Sequence, residues 1–139
     1  MADPLVEAAL AARARAYAPY SRFAVGAALR CADGSIHAGC NVENAAYPQG
    51  SCAEAGALSA MVLAGQRVVC EVVVAGAGSL PCTPCGGCRQ RLREFAPAAG
   101  DLRVRVVDET GRTLLESTLE ALLPHSFGPT TLASAGPSA

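Results

Sequence analysis

The sequence predicts an α/β fold whose mixed sheet is covered by helices on both faces, and three features of the chain indicate it. The turn sequence Asp33-Gly34 joins two strand-like runs directly, which makes them an antiparallel hairpin. Later strand-like runs are separated by helix-like ones, so those strands are parallel or cross over. Residues 23–31 are apolar at nearly every position, as in a strand that is buried on both faces.

The first three elements follow from local periodicity and from residues that stop or turn the chain. Residues 3–17 predict a helix rich in strong helix formers, and Pro19 stops it. The apolar stripe of this helix is predicted at Val6, Leu10, Ala14 and Tyr17. The two strands of the hairpin are residues 23–31 and residues 36–42.

Six further elements are predicted in the rest of the chain. They are a helix over residues 52–64, a strand over 68–75, a helix from 85 or 86 to about 95, strands over 102–106 and 112–115, and a helix over 117–124 with Ser117 and Glu120 as a capping box. We expect a single domain over residues 1–127. Residues 128–139 are mostly Pro, Ser, Ala and Thr, and we expect them to form a flexible C-terminal tail.

Composition and charge argue against some functional classes. The net charge is −1 and the isoelectric point is near 6.1, which gives no electrostatic footprint for a polyanion. Arg89, Arg91 and Arg93 alternate with other residues on a predicted helix, and a solvated helix face explains them better than a nucleic-acid groove. Hydrophobic residues make up 51% of the chain and are mostly small, so a metal ion and subunit contacts would both help stability.

The chain contains seven cysteines, and their meaning depends on the redox compartment. The residues that follow Met1 lack the apolar region of a signal peptide, and no apolar run reaches membrane-spanning length. We therefore expect a reducing, cytoplasmic location, where clustered cysteines bind metal more often than they form disulfides.

Two cysteine motifs, Cys52-Ala53-Glu54 and Pro84-Cys85-Gly86-Gly87-Cys88, are the strongest functional signal. Each lies at a predicted helix start, so the partial positive charge of two helix N-termini would help to balance three thiolates on Zn²⁺. A zinc ion that activates water takes three protein ligands and keeps the fourth position open. Glu54 is then free to move protons between water and a substrate. Its alternative role, as a surface carboxylate in a first helical turn, fits poorly with its apolar neighbours.

Cys82 leaves a second interpretation open. It precedes Cys85 by three residues, so Cys52, Cys82, Cys85 and Cys88 could close a structural four-thiolate site with no place for water. Pro84 lies between Cys82 and the helix start and favours a direction away from the ion. The remaining cysteines, Cys31, Cys40 and Cys70, lie in predicted strands and are interpreted as small core residues.

Together these motifs resemble the small, homotetrameric cytidine deaminases of the cytidine and deoxycytidylate deaminase family, and the resemblance covers nearly the whole chain. The arrangement of a ligand, one residue and Glu, followed by Pro-Cys-x-x-Cys, is the signature of zinc-dependent base deaminases. The matching segments, in order, are residues 17–23 with 25–28, residues 39–47, residues 52–54, residues 84–90 and residues 122–128.

The resemblance implies a three-layer α/β/α sandwich with a mixed, mostly five-stranded sheet and one Zn²⁺ per chain. It implies that Cys52, Cys85 and Cys88 bind the zinc and that Glu54 is the proton shuttle. Six further residues receive roles from the resemblance alone and not from their spacing. Asn41 and Glu43 would bind the ribose 3′-hydroxyl, Phe23 would pack near the nucleoside, the backbone of Ala53 and Thr83 would bind the pyrimidine edge, and Phe127 would reach a neighbouring subunit's site.

The reaction implied is hydrolytic deamination of cytidine or deoxycytidine in pyrimidine salvage. One residue departs from the pattern: many three-cysteine relatives have an arginine after Cys-Ala-Glu that bonds the ligand thiolates, and here that residue is Ala55. Three alternatives remain. They are a deaminase of another aminopyrimidine nucleoside such as blasticidin S, a nucleic-acid deaminase, which the few aromatic residues disfavour, and a non-catalytic zinc module built on the four-cysteine site.

Overall fold

A five-stranded mixed sheet forms the centre of the molecule in the computed structural model, which describes residues 3–136. The strands are β1 (Gly26–Cys31), β2 (Ile36–Cys40), β3 (Val69–Ala75), β4 (Arg103–Val107) and β5 (Thr113–Thr118). Their order across the sheet is β2-β1-β3-β4-β5, and β3 and β4 are parallel while the other neighbours are antiparallel. The predicted hairpin and the predicted crossover are both confirmed.

Helices cover the two faces of this sheet. They are α1 (Pro4–Arg13), α2 (Ala53–Leu63), α3 (Gly86–Glu94), α4 (Leu119–Leu122) and α5 (Pro129–Ala133). A single turn of 3₁₀-helix, Tyr47–Gln49, precedes α2. No helix within residues 3–136 is long and apolar enough to cross a membrane.

The side chains of the central strands divide between two apolar clusters. In β1, Ala27 and Leu29 join the cluster that contains α2 residues, while Ala28 joins the cluster beneath α1. In β3, Val72 and Val73 separate in the same way, because successive side chains of a strand point to opposite faces. This division confirms the prediction that the sheet is covered on both faces and gives the α/β/α layering.

Two glycines allow helices to approach the sheet closely. A Cβ added at Gly26 would lie 2.8 Å from the Cα of Arg13, so α1 packs directly on the backbone of β1. A Cβ added at Gly39 would lie 2.6 Å from the carbonyl oxygen of Ala53, so the first turn of α2 packs on β2 in the same way. Any larger residue at either position would push a helix away from the sheet.

The first helix differs from its prediction in length and in its buried face. It ends at Arg13, because the backbone N–H of Tyr17 donates to Asn41 at 3.0 Å and its C=O accepts from Glu43 at 2.8 Å. The predicted stripe is right only in part: Val6 and Leu10 pack at the edge of the cluster beneath α1, but Leu5 and Ala9 are its fully buried members and Tyr17 is 56% exposed. In an alanine-rich helix several stripes are almost equally apolar, so periodicity alone does not select one.

The C-terminal elements also differ from their predictions. Strand β5 continues to Thr118, which pairs with Arg103, so Ser117 lies in the strand and is not the helix cap. The hydroxyl of Thr118 caps α4 instead, accepting from Ala121 at 3.2 Å. Helix α5 lies within the segment that was predicted to be a tail, whose last residues, 137–139, fall outside the described part of the chain. The boundary between domain and tail stays a prediction.

Candidate active site

Three cysteine thiols converge where two helices begin. Cys52 is the N-cap of α2, Cys85 is the N-cap of α3, and Cys88 lies in the first turn of α3. Their sulfur atoms all lie within 4.8 Å of one another, and those of Cys52 and Cys85 are 3.9 Å apart. Tetrahedral zinc with Zn–S bonds of about 2.3 Å holds its sulfur ligands about 3.8 Å apart. The geometry and the soft donor atoms therefore fit a zinc ion bound by three thiolates.

The pKa values of these three thiols also favour a bound metal ion. Burial raises the pKa of Cys52 and of Cys88, since a thiolate loses its hydration there. The pKa of Cys85 is lowered, chiefly because the backbone N–H of Cys88 donates to its sulfur. Buried thiols become thiolates only with a strong positive charge beside them, and a metal ion provides it. The helix N-termini add their partial positive charge to the same point.

Cys82 is not part of this thiol cluster. Within residues 3–136, the group of three or more close metal-ligating side chains consists of Cys52, Cys85 and Cys88 alone. The side chain of Cys82 packs on Gly76 instead, where an added Cβ would lie 2.5 Å from the Cβ of Cys82 and 3.4 Å from its sulfur. The closed four-cysteine site is therefore not formed, which leaves one position of a tetrahedral ion open for water.

Glu54 lies in the first turn of α2, two residues after Cys52, and is only 5% exposed. Burial raises the pKa of its carboxyl group, while a backbone hydrogen bond and the charge of Arg91 act in the opposite direction. A carboxyl group with a raised pKa exchanges protons more readily near neutral pH than an exposed one. The surface-carboxylate interpretation of Glu54 is wrong, and its position suits proton transfer beside the metal.

A cavity of about 310 Å³ opens beside the thiols and Glu54. Such a volume suits a small organic molecule of nucleoside size. The structure brings together here most of the predicted site residues, namely Asn41, Glu43, Cys52, Ala53, Glu54, Thr83 and Cys85. Val25, Val42 and Tyr47 supply apolar wall, so a flat ring can be held between apolar side chains and the few polar groups.

Asn41 and Glu43 follow β2 and hold the loop formed by residues 20–25. The amide of Asn41 accepts from the Val25 N–H at 2.9 Å and donates to the Phe23 C=O at 2.8 Å. Oε1 of Glu43 accepts from the N–H of Tyr20 at 2.9 Å, and the Ser21 hydroxyl donates to Oε2. This hydroxyl is the main reason why the pKa of Glu43 is lowered. Glu43 is therefore an ionised acceptor at the cavity wall.

The two predicted phenylalanines lie in different places. Phe23 is 37% exposed, and its ring edge lies 3.8 Å from the position of a Cβ added at Gly76, next to Cys82. Phe23 thus lies near Cys82, which lines the cavity, but it does not line the cavity itself. Phe127 is 55% exposed and does not line this cavity, while its backbone C=O accepts from the Gln90 side chain at 2.8 Å. Its contact with a neighbouring subunit stays a prediction.

The prediction that the arginines of α3 form a solvated face holds for the exposed Arg91 but is wrong for Arg89 and Arg93. Arg89 donates from Nε to the Pro84 C=O at 2.7 Å and from Nη1 to the Leu122 C=O at 2.8 Å. Arg93 donates from Nε to the Ser126 hydroxyl at 2.9 Å. These side chains fix the loop before Cys85 and the segment that contains Phe127. One available signal was that every cation of the chain is Arg, whose planar fork suits fixed hydrogen bonds.

Comparison with proteins of known sequence associates this geometry with one family. The model of the cytidine and deoxycytidylate deaminase zinc-binding region matches residues 2–100, which include all three cysteines and Glu54. The cytidine deaminase of Halalkalibacterium halodurans is 43% identical over 123 residues, which span 88% of this chain and 91% of that protein. The cytidine deaminase of Sporosarcina psychrophila is 39% identical over 133 residues, 96% of each chain.

Solved structures agree with this result. The cytidine deaminase of Burkholderia pseudomallei has a TM-score of 0.80 at 43% identity and covers 88% of this chain and 96% of its own. The cytidine deaminase of Mycobacterium tuberculosis has a TM-score of 0.73 at 36% identity and covers 89% of this chain and 94% of its own. The similarity in fold therefore extends over most of this chain and of each of these two structures.

Proposed function

The chain belongs to the cytidine and deoxycytidylate deaminase family, and on that premise we propose that it is a zinc-dependent cytidine deaminase. It hydrolyses cytidine or deoxycytidine to uridine or deoxyuridine and ammonia. One observation supports this most strongly: the cluster of three thiols lies beside a buried, non-ligating Glu54, and Cys52, Cys85 and Glu54 line a single cavity. A purely structural zinc site would need a fourth ligand and has no use for that carboxylate.

The chemistry assigns Glu54 to proton transfer. Cys52, Cys85 and Cys88 would hold a zinc ion, which would act as a Lewis acid toward water. Glu54 accepts a proton as the water oxygen adds to C4 of the pyrimidine, and it passes that proton to N3. It then transfers the second proton from the oxygen to the amino group, the C4–N bond breaks, and ammonia leaves. Water supplies the oxygen of the product, so no other reactant is needed.

The remaining walls of the cavity would bind the nucleoside. Asn41 and Glu43 would bind the ribose 3′-hydroxyl, and the ionised state of Glu43 makes it a strong acceptor. The backbone of Ala53 and Thr83 would bind the edge of the pyrimidine, and Phe23 would pack beside the nucleoside. The position of Asn41, Glu43, Ala53 and Thr83 around one cavity with Glu54 supports these roles.

A homotetramer with shared active sites completes the proposal. Phe127 would reach a neighbouring subunit's site, and its 55% exposure leaves the ring free to do so. The hydrogen bond from Gln90 to its backbone holds the segment in a defined direction. A monomeric mass in solution at working concentration would contradict this arrangement. A role in pyrimidine salvage and a cytoplasmic location stay predictions of the sequence.

The reaction is tested by the ultraviolet absorbance of cytidine mixed with zinc-loaded protein, with Glu54→Ala as the control. Loss of the cytidine band with the unchanged protein, and its persistence with the variant, would support both the reaction and the role of Glu54. Deoxycytidine, blasticidin S, single-stranded RNA and single-stranded DNA are offered in parallel. Conversion of blasticidin S or a nucleic acid, with cytidine unchanged, would replace the proposed substrate.

A further inference from the structure

The Arg91 side chain contacts one of the three thiols. Arg91 lies one turn after Cys88 in α3, and its Nη1 donates to the Cys88 sulfur at 3.7 Å. Cys88 itself is fully buried. A Cβ added at Gly87 would lie 3.1 Å from Nη1 of Arg91 and 4.0 Å from the sulfur of Cys85. The guanidinium group therefore lies over Gly87, at the edge of the thiol cluster.

This contact matters because of the charge of the loaded site. Three thiolates and one Zn²⁺ sum to a net charge of −1, and the buried Glu54 carboxyl group adds negative charge when it is ionised. A hydrogen bond from a cation to a ligand sulfur reduces the charge that the centre holds in a buried place.

The space that the Arg91 side chain occupies is left open by a small residue of α2. Ala55 and Arg91 line one groove of about 610 Å³ between α2 and α3, together with Leu58 and Glu94. A long side chain at position 55 would enter the same groove. The small side chain of Ala55 therefore leaves space for a guanidinium group that arrives from α3. Position 55 in α2 thus carries no cation, and the guanidinium group beside the thiols is that of Arg91 in α3.

We propose that Arg91 is a positioning residue of the zinc centre, which stabilises the bound metal by donating a hydrogen bond to the sulfur of Cys88. This proposal rests on the proposed zinc-dependent function but concerns metal binding and not turnover. Second partners of ligand residues typically change metal affinity by about 10- to 100-fold. Since Arg91 is partly open to solvent, we expect an effect near the lower end of that range.

The experiment compares zinc transfer from the loaded protein to a coloured chelator for Arg91→Gln, Arg91→Lys and the unchanged chain. Arg91→Gln should bind zinc about 10-fold less tightly, and Arg91→Lys, which keeps the charge but not the fork, should lie between. Arg103→Gln is the matched control, because it removes an exposed arginine that pairs with Glu71 away from the thiols, and it should bind zinc normally. The cadmium–thiolate absorption band should shift in Arg91→Gln alone.

Zinc affinity within twofold of the unchanged chain, together with an unshifted cadmium band, would overturn the role of Arg91. If Arg91→Gln does not fold, Arg91→Met decides, because it keeps an unbranched apolar stem and removes the donor, and zinc binding weaker than in the unchanged chain is again expected. Normal zinc affinity in Arg91→Met would overturn the proposal. Failure of the unchanged protein to convert cytidine would instead remove the proposed function and leave these metal measurements valid.

Discussion

The N-termini of helices α1 and α2 are capped differently, and only the N-terminus of α2 lies at the candidate active site. Helix α1 begins after Asp3, whose carboxylate accepts from the Leu5 N–H at 3.0 Å. This is an ordinary cap, and it satisfies a free backbone donor. Helix α2 begins after Cys52, which makes no side-chain capping bond, and the N-cap of α3 is a second thiol, that of Cys85. Their thiols point at each other, so these two helix starts favour metal binding over helix stability.

The contacts around these helix N-termini also differ. Asp3 is held by an ion pair with Arg105 at 2.7 Å, which ties α1 to the sheet. The thiols of α2 and α3 instead depend on supporting groups from distant parts of the chain, among them the carbonyl-binding Arg89 and the sulfur-binding Arg91. A cap residue can thus be replaced with a small local cost, whereas the site depends on several contacts at once.

Loss of a metal ligand should give the largest effect. Cys88→Ser removes one thiolate, and we expect zinc affinity to fall by more than about 100-fold, beyond the effect of a supporting group. Zinc per chain after dialysis, measured by atomic absorption, tests this. Cys82→Ser is the matched control, because its sulfur lies outside the cluster and it should keep its zinc. Zinc loss in Cys82→Ser equal to that in Cys88→Ser would restore the four-cysteine site.

Substitution of Gly26 or Gly39, on which α1 and α2 pack, should lower stability in both variants but activity in only one of them. An added methyl group meets helix backbone at both Gly26 and Gly39, so each change to Ala should lower the free energy of unfolding by about 1–3 kcal/mol. Urea unfolding of the zinc-loaded proteins measures this. Gly39→Ala also displaces the first turn of α2, where Glu54 lies, so kcat should fall. Gly26→Ala should leave kcat within about twofold; an equal fall in both variants would contradict this separation.

Neutralising the cap of α1 should have the smallest effect, and it should depend on pH. Asn caps almost as well as Asp, so Asp3→Asn removes mainly the ion pair with Arg105, worth below about 1 kcal/mol because Asp3 is partly exposed. Hydrogen bonding from Arg105 is the main reason why the pKa of Asp3 lies below 3.8. This stabilisation is therefore complete above that value and disappears as pH falls through the lowered pKa.

This pH dependence is tested by measuring the unfolding of Asp3→Asn and of the unchanged chain at neutral and at acidic pH. The difference between them should shrink in acid, and cytidine turnover at neutral pH should be equal. A difference that grew on acidification would mean that Asp3 is not stabilised as an anion. Slower turnover of Asp3→Asn would mean that the α1 face and the site are coupled.

The sequence predicted those features that depend on near neighbours along the chain. The Asp33-Gly34 turn, the helix starts at Cys52 and Cys85, and the exclusion of Cys82 by Pro84 all follow from local backbone rules, and the structure agrees with each. The fully buried face of α1, Leu5 and Ala9, was not predicted, because the many alanines of this helix make neighbouring faces almost equally apolar. Packing on Gly26 makes the choice, and that contact is long-range.

The partners of the α3 arginines were beyond local rules. Arg89 and Leu122 are 33 residues apart, as are Arg93 and Ser126, so no periodic pattern connects them. On a helix diagram these residues look like an exposed charged stripe. Only the fold shows that the C-terminal segment returns to this helix and uses those donors.

Zinc-dependent deamination with Glu54 as the proton-transfer group is best tested by measuring turnover as a function of bound zinc. Metal-free protein is titrated with zinc, and cytidine conversion is followed for the unchanged chain and for Glu54→Gln at each step. We expect activity to rise with zinc and to saturate at one ion per chain, while Glu54→Gln binds the same zinc but loses activity by a factor of at least about 100. Activity without zinc, or near-normal activity in Glu54→Gln, would contradict the account.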